Sequence, residues 1–298
     1  MLLRPPALKT GDTVYLLSTA RKITFEEVQP AINLFESWGL NVKIGKTIGA
    51  EYRQFAGTDT LRAEDFQAAL DDAEVRAVIC ARGGYGTVRM MDAIRYDSFL
   101  ANPKWIVGFS DVTFLHTHIT NTLGIQTLHA PMPFNFATAT AESLEALRSE
   151  LFGIKKEFEV PPHPLNRLGS AGGVLTGGNL SILYSITGTH SVFNTCGKLL
   201  FLEDLDEYLY HVDRMMMNLK RSGKLRDLAG VIVGSFTEMK DNKVPFGCTA
   251  EEIIAEHLSE YDYPVCFGFP AGHIPDNRAL VMGRRYQLTV SASGAYLI

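Results

Sequence analysis

No C-x-x-C pair occurs among the four cysteines, Cys80, Cys196, Cys248 and Cys266. Neither a zinc ribbon nor a disulfide framework is therefore indicated, and the thiols read as buried side chains. No apolar run approaches the roughly 20 residues that span a bilayer. Met1-Leu2-Leu3-Arg4-Pro5-Pro6 lacks the apolar core of a signal peptide. An excess of basic residues is also missing: 28 Lys and Arg stand against 33 Asp and Glu, a net charge of −5, which leaves no footprint for nucleic acid. Neither an internal repeat nor a low-complexity segment is found. The expectation is a folded cytoplasmic protein with no membrane or nucleic-acid partner.

Hydrophobic residues make up 46% and charged residues 20% of the 298 positions, which suits two domains, each with a full core, sharing one cleft. Thr13 to Ser18, Asn41 to Ile44 and Val75 to Ala81 read as strands. Thr24-Phe25-Glu26-Glu27 has capping-box spacing ahead of the stripe Ala31, Leu34 and Phe35, and Gly39 stops that helix. Pro30 is awkward inside it and leaves open a later start near Gln29. Phe66, Ala69, Leu70 and Ala73 mark a second helix. Helices are also predicted from about Thr87 to Ile94 and from Glu142 to Leu151. Strands alternating with helices at this spacing imply an α/β fold, with a parallel sheet of the Rossmann or flavodoxin-like kind over residues 1–154 and ligands at the carboxyl ends of its strands. Residues 155–168, with Pro161, Pro162 and Pro164, read as a linker. Residues 169–298 form a smaller, strand-rich α/β domain, so that a cleft lies between the two.

Two stretches of the first domain reach the expected ligand edge. Arg82-Gly83-Gly84-Tyr85-Gly86 follows a strand directly, and such glycines let backbone amides approach an anion, although the spacing is neither that of a dinucleotide fingerprint nor a P-loop; a tight turn fits it equally. Trp105 to His116 reads as a buried strand, an abrupt turn at Ser110 and a helix start. A serine mounted there stands beside amide N–H groups where negative charge is stabilised. The spacing is not G-x-S-x-G, because Asp111-Val112 follows, and a plain helix cap also fits.

A nucleophilic serine needs a base and an acid to orient that base. Of eight histidines, His116, His118, His211 and His257 fall on helices, and His163 and His190 in loops. His273, in Phe269-Pro270-Ala271-Gly272-His273, follows a strand in a turn of small residues that can aim it into a cleft. Glu203 is read as the first residue after the apolar strand Lys198 to Leu202. Asp204, Asp206 and Glu207 continue into a turn without metal-ligand spacing.

Ala81-Arg82-Gly83-Gly84-Tyr85-Gly86, Gly108-Phe109-Ser110-Asp111, Leu175 to Leu180, Leu202-Glu203-Asp204, Asp213-Arg214-Met215 and Gly272-His273 together resemble the LD-carboxypeptidase family of serine peptidases, in order from about Leu16 to the C-terminus. The resemblance implies a triad of Ser110 as nucleophile, His273 as general base and then acid, and Glu203 orienting His273. It also implies an oxyanion hole of backbone N–H groups at Gly84 and Asp111. Arg82, Tyr85 and Asn179 become candidate substrate contacts, and no metal or other cofactor is implied. The implied reaction removes the terminal D-alanine from murein tetrapeptide in cytoplasmic cell-wall recycling, by a homodimer. Two alternatives stand beside it. One is a related immunity peptidase acting on microcin C or similar aminoacyl-nucleotide conjugates, the other a non-catalytic muropeptide binder.

Overall fold

The computed structural model describes residues 2–298. In the first half β1 (Thr13–Leu17), β2 (Asn41–Ile44), β3 (Val75–Cys80), β4 (Trp105–Gly108) and β5 (Thr127–His129) pair in parallel in the order β2-β1-β3-β4-β5. Alternate strand residues face opposite ways and feed two cores, Leu16, Ile79 and Val107 on one face and Leu17, Val78 and Ile106 on the other. Burial on both faces is why these strands read as nearly continuous apolar runs. α1 (Phe25–Ser37) covers the first face with Phe35. α2 (Asp59–Asp71), α3 (Asp97–Ala101) and α4 (Thr113–His118) cover the second with Phe66, Phe99 and Leu115, and α5 (Ala141–Leu151) returns to the first with Leu147. This is the flavodoxin-like strand order, and the direction of winding reverses between β1 and β3, opening a crevice at their carboxyl ends.

The second half builds a mixed sheet. β6 (Phe158–Val160), β7 (Gly169–Asn179), β8 (Lys198–Leu205), β9 (Gly230–Thr237) and β10 (Val265–Cys266) are followed by β11 (Leu280–Met282), β12 (Arg285–Ser291) and β13 (Gly294–Leu297). The sheet order is β10-β9-β8-β7-β12-β13-β6, with β7 to β10 parallel and β12, β13 and β6 added antiparallel. α6 (Leu180–Ser185), α7 (Leu209–Arg221) and α8 (Ala250–Leu258) cover one face through Leu183, Met215 and Ile254. β11 leaves this sheet and pairs antiparallel with β5, Leu280 opposite His129, as the outer strand of the first.

Several local readings change. α1 starts at Phe25 under a full capping box between Thr24 and Glu27, and Pro30 lies inside it on the solvent side, where the carbonyl it leaves unpaired turns to water. Thr87 to Ile94 is not a helix but two short 3₁₀ turns, Thr87–Arg89 and Met91–Ala93. The Thr87 amide donates to the Asp111 carboxylate at 2.8 Å. Phe158 and Val160, within the stretch read as a linker, are buried with Glu159 exposed between them, which is the alternation of a half-buried strand. Glu203 is not past its strand but within β8.

A buried ion pair joins the halves. Arg284, in the turn after β11, donates Nη1 to Glu150 Oε1 of α5 at 2.7 Å and Nη2 to Oε2. The two side chains are 9% and 0% exposed. Glu150→Ala strands the guanidinium and is expected to cost about 3–5 kcal/mol, read as a lower urea midpoint, whereas the double change Glu150→Leu with Arg284→Met recovers most of it. A midpoint unchanged in Glu150→Ala contradicts this.

Candidate active site

Ser110 sits where β4 ends and a 3₁₀ turn, Ser110–Val112, runs into α4. Its backbone is left-handed, φ +59°. For a non-glycine residue this costs of order 1–3 kcal/mol and persists only where the surroundings enforce it. The sharp turn stands the side chain at the carboxyl edge of the sheet, 9% exposed. Gly83 lies against it: a Cβ there would be 3.4 Å from Ser110 Oγ.

β8 and the turn after β10 supply the facing side. Glu203 is fully buried, and its Oε2 accepts a hydrogen bond from His273 Nδ1 at 2.6 Å. That bond fixes the tautomer with the proton on Nδ1 and leaves the Nε2 lone pair free. Burial disfavours the His273 imidazolium, but the Glu203 carboxylate, helped by Asp204 and Glu238, outweighs it and holds the pKa above the ordinary histidine value. Gly272 is required beside it. Its φ is +115°, and a Cβ would stand 2.4 Å from Ser235 Oγ and 2.9 Å from Glu203 Cβ.

Ser110, His273, Gly83 and Gly84 line one cavity of about 190 Å³ with Arg21 and Arg82. Phe109, the residue before Ser110, packs its ring 4.8 Å from that of His273. Among the described residues Ser110 and His273 share this cavity without a hydrogen bond between them. Such contacts are often loose before substrate binds. The Asp111 amide lies in the first turn of a helix, where N–H groups lack an intrahelical acceptor. The Asp111 carboxyl is buried and raised above the usual carboxylate range by that burial. By accepting from Thr87 N it ties the Ser110 turn to the end of the glycine loop.

The other sequence candidates separate. Arg82 lines the cavity but is engaged elsewhere, donating to Lys22 O at 3.1 Å, lying 3.7 Å from Glu27 and stacking 4.0 Å over the Phe134 ring. Tyr85 faces a neighbouring cavity of about 480 Å³ with Phe114 and Met91. Asn179 is not in the Ser110 cavity. It is buried, caps α6 by accepting from Ile182 N, and donates to Asp204 Oδ1 at 2.8 Å. Burial and the neighbouring Glu203 push the Asp204 carboxyl up to about 7, although it accepts from Ser181 N and Leu205 N as well as from Asn179. Asp206 pairs with Lys240 and Glu207 with His211. The acidic run thus spreads to separate partners, and among the described residues no group of three or more His, Cys, Asp or Glu converges.

Sequence reasoning missed the layer behind the triad candidates. Asn277 Oδ1 accepts from Gly272 N at 2.9 Å and so holds the His273 turn. Among the described residues Ser235 Oγ, Asn277 Nδ2 and both ring nitrogens of the wholly buried His129 have no hydrogen-bond partner. Of these only His129, the last residue of β5, carried a positional signal in the sequence. Arg21 was missed too, although it follows β1 at the crevice.

Residues 14–130 match the family described as LD-carboxypeptidase N-terminal domain, and residues 172–288 its C-terminal domain. A Bacillus subtilis (strain 168) protein named "Probable murein peptide carboxypeptidase" is 35% identical over 99% of this chain and 94% of its own. The crystal structure of muramoyltetrapeptide carboxypeptidase from Oxalobacter formigenes superposes with a TM-score of 0.86 at 26% identity, covering 96% of this chain and 97% of that one. The microcin C7 self-immunity protein MccF, in complex with aspartyl sulfamoyl adenosine, gives a TM-score of 0.86 at 21% identity over 100% and 98% of the two chains, a likeness of fold alone. With both halves of the cleft matched, the chain belongs to the LD-carboxypeptidase family and is a hydrolase of the carboxypeptidase class.

Proposed function

We propose that the chain is a serine LD-carboxypeptidase that removes the terminal D-alanine of murein tetrapeptide through an acyl-enzyme on Ser110. The observation that carries this reading is the Glu203–His273 hydrogen bond of 2.6 Å on the wall of the cavity that also holds Ser110. On substrate binding the Ser110–His273 contact closes. His273 Nε2 takes the hydroxyl proton as Oγ bonds to the scissile carbonyl carbon, and the new oxyanion is held by the Gly84 and Asp111 amides. The C–N bond then breaks as His273 returns the proton to the leaving D-alanine amine. Water, deprotonated by His273, attacks the ester and frees Ser110.

The murein substrate is supported by the names of the Bacillus subtilis and Oxalobacter formigenes relatives. The same reading has the enzyme acting in cytoplasmic cell-wall recycling, as a homodimer and without a metal. Among the described residues no helix is long and apolar enough to cross a membrane.

Mass spectrometry of murein tetrapeptide incubated with the protein in EDTA tests it. The expected product is the tripeptide with one D-alanine released. Hydrolysis of aminoacyl-nucleotide conjugates with tetrapeptide untouched makes it an immunity peptidase instead, and tetrapeptide binding without turnover makes it a binder.

A further inference from the structure

We propose that Arg21 is the residue that grips the free terminal carboxylate of the peptide, and so makes the site an exopeptidase; this rests on the serine carboxypeptidase reading and names the group that selects its substrate. A carboxypeptidase has to recognise a carboxylate one residue beyond the scissile carbonyl. An arginine fork matches that anion with two parallel N–H donors.

Two arginines line the Ser110 cavity, Arg21 and Arg82. Arg82 is committed to Lys22 O, Glu27 and the Phe134 ring. Arg21 differs: among the described residues its guanidinium takes part in no hydrogen bond or ion pair, while its backbone is tied down. Its N–H donates to Gly83 O at 3.4 Å, its C=O accepts from Ser18 Oγ at 2.7 Å, and it forms a bridge with Phe55.

The side chain is laid across the glycine loop. A Cβ on Gly84 would fall 2.6 Å from Arg21 Cδ and 2.7 Å from Nε, so glycine at 84 leaves room for the arginine as well as permitting φ +105°. A fixed backbone, a cleared path and an unspent guanidinium thus meet at the β1–β3 crevice, beside Ser110. Much of the remaining wall is apolar, with Phe109, Met132, Phe134 and Leu205. Those side chains suit the small side chain of the leaving residue and supply no competing anion.

The test compares kcat/KM for murein tetrapeptide and for the same peptide with a C-terminal amide, using wild type, Arg21→Ala, Arg21→Lys and Arg82→Ala. Wild type is expected to prefer the acid by about 10- to 100-fold, the scale of a lost charge-assisted hydrogen bond. Arg21→Ala is expected to lose that factor on the acid, mainly in KM, and little on the amide, so that the preference collapses. Turnover of the amide by the same variant shows that it is folded. Arg21→Lys restores part of the preference, and Arg82→Ala keeps it. Undiminished preference for the acid in Arg21→Ala overturns the assignment, as does a wild type that cleaves acid and amide alike. A wild type that cleaves neither overturns the peptidase reading and the assignment together, a pattern distinct from both.

Discussion

Ser110→Ala is expected to lower kcat for D-alanine release by about 10⁴- to 10⁶-fold, the range seen when a hydrolase loses its nucleophile while keeping its binding groups. The methyl side chain leaves the turn between β4 and α4 as it is, since alanine and serine meet the same constraint at φ +59°. Tetrapeptide binding should therefore survive, and saturating peptide should still raise the thermal midpoint of the variant. Mass spectrometry of the tetrapeptide reads the first effect and a melting curve the second. Turnover within tenfold of wild type would move the nucleophile away from Ser110.

Glu203→Gln is expected to cost about 10⁴-fold in kcat, because the amide no longer compels His273 to keep its proton on Nδ1. It should also move the pH profile. The base works only when neutral, so kcat/KM of the wild type rises with pH through a His273 pKa held above the ordinary value. Without that carboxylate, burial is opposed only by Asp204 and Glu238, and the midpoint falls below that of the wild type. Stability follows the same linkage. The contribution of the charged pair is fully present below the ordinary histidine value and is lost as pH rises through the raised one. In Glu203→Gln that pH-dependent increment should disappear from denaturation midpoints. A variant with the wild-type rate and profile would remove Glu203 from its proposed role.

The parallel sheet was legible because β1, β3 and β4 are apolar on both faces and each is followed by a helical or glycine signal at a spacing that only a crossover connection satisfies. Ser110 was legible for the same reason, as the polar residue at a strand-to-helix junction. Position within β8 could not be read from the apolar run Lys198 to Leu202, since Glu203 continues the strand as a buried carboxylate whose cost is offset by His273, seventy residues away. The capping role of Asn179 was not legible for a related reason. An asparagine before a helix signals either a cap or a ligand contact, and only the Asp204 carboxylate across the strand pair decides for the cap. Thr87 to Ile94 has helical composition, yet it folds as two 3₁₀ turns broken at Met90. Local pattern names the strands; long-range polar partners set what their ends do.

β11 makes the order of synthesis matter. The five parallel strands are complete once β5 has been made, yet the outer flank of β5 has no neighbour until Leu280–Met282 arrives about 150 residues later. During that interval the growing chain displays an unpaired strand edge, the feature that recruits other chains into aggregates. The first half is thus a poor candidate for transfer to another protein as a self-sufficient module, because the strand that seals it belongs to the other half.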